Sequence, residues 1–472
     1  MFRALSTIHR IVWGIPTLTL ILGVGIYLSI RTGFIQFRLM PKAFRLFFRK
    51  IGKKNASDTA VSPYQALCTA LAATVGTGNL AGVAGAIALG GPGAVFWMWI
   101  SAFLGMVTKL AEASISLRFR ILGENGEYAA GPMYAITKGM GKWWRWLACV
   151  YCFFGVVASF GVGNATQVNA VISGINSVIS FFGGTERNTR NLFIGICLAM
   201  LVASMLLGEA GRIGKIAENL VPFASVFYML LCIYVLIVRF SVIDDALSLI
   251  IRGAFSPKAV TGGMLGSVFH ALRVGAARGV FTNEAGLGTA GIAHGAADVA
   301  HPIEQGMMGI IEVFLDTIVI CTMTALVILC SGAYIPYGHD AGVALSIDAF
   351  SLVYGKWVSI PISVALCLFA LATILGWGLY GRRCAQFLFG DPIWKPFLLA
   401  QLVMVIVAAV LKTDTVWLIA EIVNGLMAIP NLIALVCLCP ELTRLTNEYR
   451  ILSGSASAYG GTDENFNQRK PL

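Results

Sequence analysis

The sequence predicts an all-α polytopic membrane protein, and three observations carry that reading. Of its 472 residues, 57% are hydrophobic and only 12% charged, against about 25% charged in ordinary soluble domains. The apolar residues come in long runs, each near the roughly 20 residues that a helix needs to cross a bilayer core. The formal charge is +11, and the basic residues cluster in loops beside those runs. Only helices and closed barrels satisfy every backbone polar group in lipid. A barrel would show short segments of dyad alternation, and the long runs rich in Gly, Leu, Ile and Phe exclude it.

The first run, Ile11 to Ile30, is long enough to cross and lacks a small-residue cleavage site, so it reads as a retained helix rather than a signal peptide. RTGFIQFRLMPKAFRLFFRKIGKK follows, with eight Lys/Arg before the first acid, Asp58, and is expected to be cytoplasmic. Further spans are expected over Tyr64 to Leu89, Gly93 to Leu117, Trp144 to Ile172, Leu192 to Leu207 and Leu220 to Val238. A second group covers Gly263 to Ala297, Gln305 to Leu329, Val358 to Tyr380, Phe397 to Leu411 and Thr415 to Leu438, which makes eleven. With an outside N-terminus, the inner segments hold 22 Lys/Arg and the outer ones nine, the bias expected for a cytoplasmic C-terminus. The polar stretch from Glu441 onward reads as a disordered end.

Setting the first span aside leaves ten, and five per half places the halves in opposite orientations. That is the parity of inverted-repeat secondary transporters, whose sites lie where the first helix of each half is interrupted. The organisation expected is therefore an extra helix and basic loop (1–63), two five-helix halves (64–238 and 239–438) and a tail (439–472). The first helix of the first half carries Gly76, Gly78, Gly82 and Gly85 beside Thr74, Thr77 and Asn79. Its counterpart carries Gly275 and Gly279, then Gly286 and Gly288, around Thr282, Asn283 and Glu284. Glycine in a helix interior costs up to about 1 kcal/mol against alanine. Close packing accounts for Gly82 and Gly85, but polar side chains in lipid face a cavity or a partner. An unwound turn exposes N–H groups to a carboxylate and carbonyl oxygens to a small cation.

GTGNLAGVAGAIALGGPGAVFWMW, AAGPMYAITKGMG, RGVFTNEAGLGTAGIAH and ALATILGWGLYG together resemble the alanine or glycine:cation symporter family, over nearly the whole chain. The resemblance implies the LeuT-type fold of five plus five inverted helices with one additional N-terminal helix. It also implies sodium-driven import of small neutral amino acids at a bacterial-type inner membrane. Carried over onto the motifs, Ala72, Thr74 and Val75 would offer carbonyls and Asn79 its side chain to sodium, while the amides of Thr77 and Gly78 would meet the substrate carboxylate. In the second helix, Phe281, Thr282 and Asn283 would fall at the break, receiving the substrate ammonium, with Thr282 or Asn283 assisting an ion. Gln167 would touch substrate, and Asn164, on the same face, either does so or bonds a neighbouring helix. Thr373 would coordinate sodium, and Trp377, four residues on, would limit the depth of the pocket or simply pack. Ala372 stands where a serine is common in the family, Gly291 where a proline is, Arg382 where an acid is, and Ala135 where a tyrosine is.

Lys109 and Glu112 are spaced to pair locally or to snorkel, and Arg273, Arg278 and Glu284 surround the second break as a gate or a holding network. Glu312, Asp316 and Glu421 have no role legible in the sequence, although proton coupling would need one of them. His294 and His301 read as solvated loop ends rather than metal ligands, and Cys149 and Cys152 as helix packing. No cofactor is expected beyond sodium as coupling ion. An enzyme is the weaker reading, since HExxH, GxSxG and GxxxxGK[ST] are absent. A channel would want a continuous polar pore lining, and a non-transporting sensor of the same fold is distinguished by binding without flux. The partners expected are the amino acid, sodium and lipid, not nucleic acid.

Overall fold

The computed structural model describes residues 2–51, 61–123, 126–185, 187–207, 210–256, 267–339, 342–411 and 413–458. Helices α1 (Phe2–Val12) and α2 (Ile15–Arg31) form the N-terminal element, and α3 (Ile35–Lys50) turns off α2 at 81°. The turn runs through Gly33 and Phe34, both with positive φ, at 64° and 54°. Next come α4 (Pro63–Thr74), a π-helical turn (Gly78–Gly82), α5 (Val83–Gly90) and α6 (Gly93–Arg118). A two-stranded hairpin (Ile121–Leu122 with Tyr128–Ala129) and a second π-helical turn (Ala135–Met140) precede α7 (Arg145–Phe160), a third π-helical turn (Gly161–Ala165) and α8 (Thr166–Phe181). The chain continues through α9 (Asn188–Leu206), α10 (Ala210–Val238), α11 (Ile243–Phe255), α12 (Val268–Asn283) and the short α13 (Thr289–His294). Then α14 (Pro302–Val313) passes through a fourth π-helical turn (Phe314–Cys321) into α15 (Thr322–Ser331). Helices α16 (Gly342–Tyr354), α17 (Ser359–Phe389), α18 (Trp394–Ala408), α19 (Thr413–Cys437) and α20 (Cys439–Ala458) complete it.

Among the described residues eight helices are long and apolar enough to span a membrane, or ten if each bent pair counts once. The expected count of eleven is not reached on length alone, because the span placed at Gly263 to Ala297 is divided into α12 and α13. The first expected span also starts later, since Trp13 and Gly14 separate α1 from α2. The expected disorder from Glu441 is corrected: α20 is helical as far as Ala458, and 459–472 lie outside the described residues, as does Asp58.

Local sequence sets the ends that matter for the centre. Ser62 opens α4 with a reciprocal box, its Oγ accepting from the Gln65 amide at 3.0 Å while Gln65 Oε1 accepts from the Ser62 amide at 3.1 Å. Pro63 and Pro302 sit at the first positions of α4 and α14, where a missing N–H costs nothing. Glycines let α12 press on α6: a Cβ on Gly275 would stand 2.2 Å from the Ala94 carbonyl oxygen, and one on Gly279 would stand 2.4 Å from Ser101 Oγ. These two glycines, expected to interrupt the helix, are packing residues in an unbroken α12.

Candidate functional site

The first break lies where the glycines predict it. The Val75 amide closes the last turn of α4 onto the Leu71 carbonyl at 2.8 Å, and the chain then bends by 52° into the π-helical turn. The Gly76 amide turns to Asn79 Oδ1 at 2.8 Å, so the Ala72 carbonyl loses its helical donor. Among the described residues, the Thr77 amide has no acceptor. The Thr77 hydroxyl donates to Gln167 Oε1 at 2.9 Å, which ties the break to α8. Thr373 approaches from α17: a Cβ on Gly76 would stand 2.6 Å from its Oγ and 3.6 Å from Gln167 Oε1. Across from them, a Cβ on Gly78 would stand 3.6 Å from Thr282 Cγ2 and 3.7 Å from the Phe281 ring. The fold thus gathers Gly76, Thr77, Gly78, Gln167, Phe281, Thr282 and Thr373, residues spread over most of the sequence. Thr74 donates its hydroxyl to the Ala70 carbonyl within α4 at 3.3 Å.

Of the two interruptions expected in the second helix, the one at Gly286 and Gly288 is present and the one at Gly275 and Gly279 is not. Phe281, Thr282 and Asn283 are the last helical residues of α12, and the interruption runs from Glu284, at φ 55°, through Gly286 and Gly288, at 97° and 79°. The left-handed φ at these two positions is open to glycine at no steric cost. Its amides are already occupied: Glu112 Oε1 accepts from Gly286 at 2.9 Å, Gly288 at 3.0 Å and Asn431 Nδ2 at 2.8 Å. An internal carboxylate therefore fills the anion-binding nest of this break. Thr282 donates to the Gly279 carbonyl at 2.9 Å, and its Cγ2 methyl is the atom that faces Gly78 and Gly82.

Asp316, one of three in-span acids noted in the sequence without a role beyond candidacy for proton coupling, joins the two halves. It lies fully buried in the π-helical turn between α14 and α15, and its Oδ1 accepts from Asn79 Nδ2 at 2.7 Å. Its Oδ2 accepts from the Thr317 hydroxyl at 2.8 Å, and Thr317 Oγ1 in turn accepts from Asn283 Nδ2 at 3.1 Å. A chain of bonds thus runs from the Gly76 amide through Asn79, Asp316 and Thr317 to Asn283. The usable signal was an acid inside an apolar run, which by default marks an ion path.

The ionisable residues left open in the sequence now have partners. Lys109 and Glu112 do not pair locally: Lys109 Nζ meets Glu312 Oε1 at 2.8 Å, with both side chains buried. His294 is a buried link rather than a solvated loop end, donating to Glu312 Oε2 at 3.0 Å while its Nδ1 accepts from Gln305 at 2.7 Å. Gln305 also donates to the Pro63 carbonyl at 3.2 Å, so this cluster ties α4, α6, α13 and α14 together. Glu284 accepts from the Trp377 indole N–H and the Thr289 hydroxyl, both at 2.7 Å. That fixes Trp377 one turn beyond Thr373, against Gly163, where a Cβ would stand 2.2 Å from the Trp377 Cβ. Asn164 donates to Gln401 on α18 at 3.0 Å and so bonds a neighbouring helix. Arg278 and His9 both reach Glu421, and with Arg273 and Phe281 they line a cavity of about 210 Å³. Phe281 therefore stands between that cavity and Gly78.

The pattern of the sodium:alanine symporter family matches residues 1–458, almost the whole chain. The chain belongs to that family. A sodium/alanine symporter, AgcS, of Methanococcus maripaludis is 40% identical over 455 residues, covering 94% of this chain and 97% of that one. An uncharacterised transporter of Haemophilus influenzae is 42% identical, covering 94% and 95%. Among solved structures, MhsT in complex with L-phenylalanine matches with a TM-score of 0.55 over 83% of this chain and 99% of that one, at 15% identity. That likeness establishes the LeuT-type fold for this sodium:alanine symporter family member. It accords with the two broken helices, α4/α5 and α12/α13, facing each other at the centre.

Proposed function

We propose that this protein is a symporter that imports a small neutral amino acid, alanine or glycine, together with sodium, by alternating access around the first break. The observation that carries the proposal is Asp316, a fully buried carboxylate whose partners, Asn79 and Thr317, are both neutral. An unpaired buried charge is expensive, and a cation arriving beside Asp316 and Asn79 removes that expense, which couples ion binding to closure of the centre. Glu112 and Glu284 likewise have only neutral donors, while Lys109 is engaged by Glu312. The centre is therefore electronegative and favours a cation. The ligands assigned to sodium are the carbonyls of Ala72, Thr74 and Val75 with Asn79, Thr282 and Thr373, and Asp316 joins them. The substrate carboxylate is assigned to Thr77 and Gly78, and its flank to Gln167, Phe281 and Asn283. Trp377, immobilised by Glu284, forms the floor that favours alanine and glycine over larger side chains. The name of the AgcS relative supports sodium and alanine.

In this reading the protein is a carrier and not an enzyme, with its N-terminus outside and its C-terminus in the cytoplasm. The test is uptake of labelled alanine into proteoliposomes under an inward sodium gradient, an inward proton gradient, or neither. Accumulation against an alanine gradient with sodium alone is the expected result. Accumulation driven by protons alone would replace sodium by the proton at Asp316, and flux without accumulation would refute coupling.

A further inference from the structure

A second pocket, of about 180 Å³, lies far from the transport centre, between α3 and the C-terminal helix α20. Four cations from three elements line it: Arg31 at the end of α2, Arg38 and Lys42 on α3, and Arg450 on α20. Arg38 and Lys42 are four residues apart and share a helix face. A Cβ on Gly33 would stand 3.3 Å from Arg38 Nη1, so this side chain folds back toward the α2–α3 turn. Among the described residues no carboxylate lines the pocket. The acids of α20 are committed elsewhere: Glu441 to Arg118 at 2.9 Å and Arg444 at 2.6 Å, and Glu448 to Arg444 at 3.0 Å. Like charges converging without a counter-ion repel one another, and a bound anion relieves that repulsion.

The surroundings say which anion. Helix α3 leaves the apolar α2 at 81°, so with α2 crossing the membrane α3 runs near its plane. Its buried side, Ile35, Ala43 and Leu46, packs on the protein, while Phe34, Phe37 and Phe48 are exposed. Basic residues with exposed aromatics on one in-plane helix are the pattern of an element seated among lipid headgroups. We infer that Arg31, Arg38, Lys42 and Arg450 form a binding site for the phosphate of an anionic phospholipid, whose chains lie beside the exposed phenylalanines of α3. The site clips α20 to the α2–α3 corner through the lipid. It is independent of the transport reading.

The test uses the full chain purified in a neutral detergent, with thermal unfolding followed while phosphatidylglycerol, phosphatidylcholine or inorganic phosphate is added at constant ionic strength. Saturable stabilisation by phosphatidylglycerol alone is expected. Each cation near a membrane surface contributes about fivefold in affinity, so Arg38→Gln with Arg450→Gln should raise the half-maximal phosphatidylglycerol concentration about 25-fold. Lys42→Gln alone, at an exposed position, should raise it about fivefold and serves if the double variant does not fold. The control Arg145→Gln, an exposed cation that does not line the pocket, should behave as the parent. Equal stabilisation by phosphatidylcholine, an unaltered response in the variants, or the same loss in the control would overturn the assignment. Full stabilisation by inorganic phosphate would overturn the lipid as its ligand. The readout is binding, so an outcome here leaves the transport experiment unaffected.

Discussion

Replacing Lys109 with methionine tests whether the buried cluster at the junction of α6, α13 and α14 is held by charge. Lys109 and Glu312 are buried, with Nζ 2.8 Å from Oε1, and His294 engages the other carboxylate oxygen. Methionine keeps most of the volume but leaves the buried Glu312 carboxylate with His294 as its remaining side-chain partner. Breaking a buried pair from one side costs about 3 to 5 kcal/mol. Removing both charges, as Lys109→Met with Glu312→Gln, leaves no orphaned ion and should return all but about 1 kcal/mol of that, since replacing a buried pair is often close to neutral. The coupling energy expected from the double-mutant cycle is therefore at least about 2 kcal/mol, near the upper end for contacting residues. Equilibrium unfolding in mixed micelles, followed by tryptophan fluorescence, gives all four corners. Additive effects of the two substitutions, or a Lys109→Met cost below about 1 kcal/mol as for an exposed pair, would refute the reasoning.

Four other outcomes are expected. Asp316→Asn should raise the half-saturating sodium concentration for uptake by about tenfold, the roughly 1.4 kcal/mol by which a charged partner exceeds a neutral one; unchanged sodium dependence would remove Asp316 from the ion site. Asn79→Ala leaves the Gly76 amide and Asp316 without their shared partner, so sodium-dependent uptake should fall while protein in the membrane is retained. Trp377→Leu should admit larger neutral amino acids in competition assays, at a stability cost of about 1.5 to 3 kcal/mol for the lost bond to Glu284; an unaltered substrate range would exclude Trp377 from the pocket. Burial lowers the pKa of His301, at the start of α14, from 6.5 to about 4. Its neutral form is the folded one, so its stabilisation is complete above pH 6.5 and is lost as pH falls from there toward 4. His301→Asn keeps a side-chain acceptor for the Ile303 amide, so the melting temperature should fall less on acidification than in the parent.

The sequence by itself determined that this chain lives in a membrane, that it is helical, and where its first broken helix lies. Each of those is a local property. Apolar run length, the position of the basic residues and glycines beside Thr77 and Asn79 act within a turn or two of chain. The family was legible too, because its motifs are contiguous.

Tertiary structure decided the second break and the partners of the buried charges. Gly275 and Gly279 look like helix breakers in a string of letters, yet in three dimensions they are where α12 meets Ala94 and Ser101. The chain instead unwinds from Glu284, where Glu112, distant in sequence, receives the freed amides of Gly286 and Gly288. Lys109 and Glu112 have the spacing of a local pair, but each is held by a helix from the other half. Asp316 had no role in the sequence because its meaning is relational: it becomes an ion-site candidate only when Asn79 stands 2.7 Å away. A carboxylate in lipid must be satisfied by whatever the fold brings to it, and which residue that is depends on contacts across the bundle rather than along the chain.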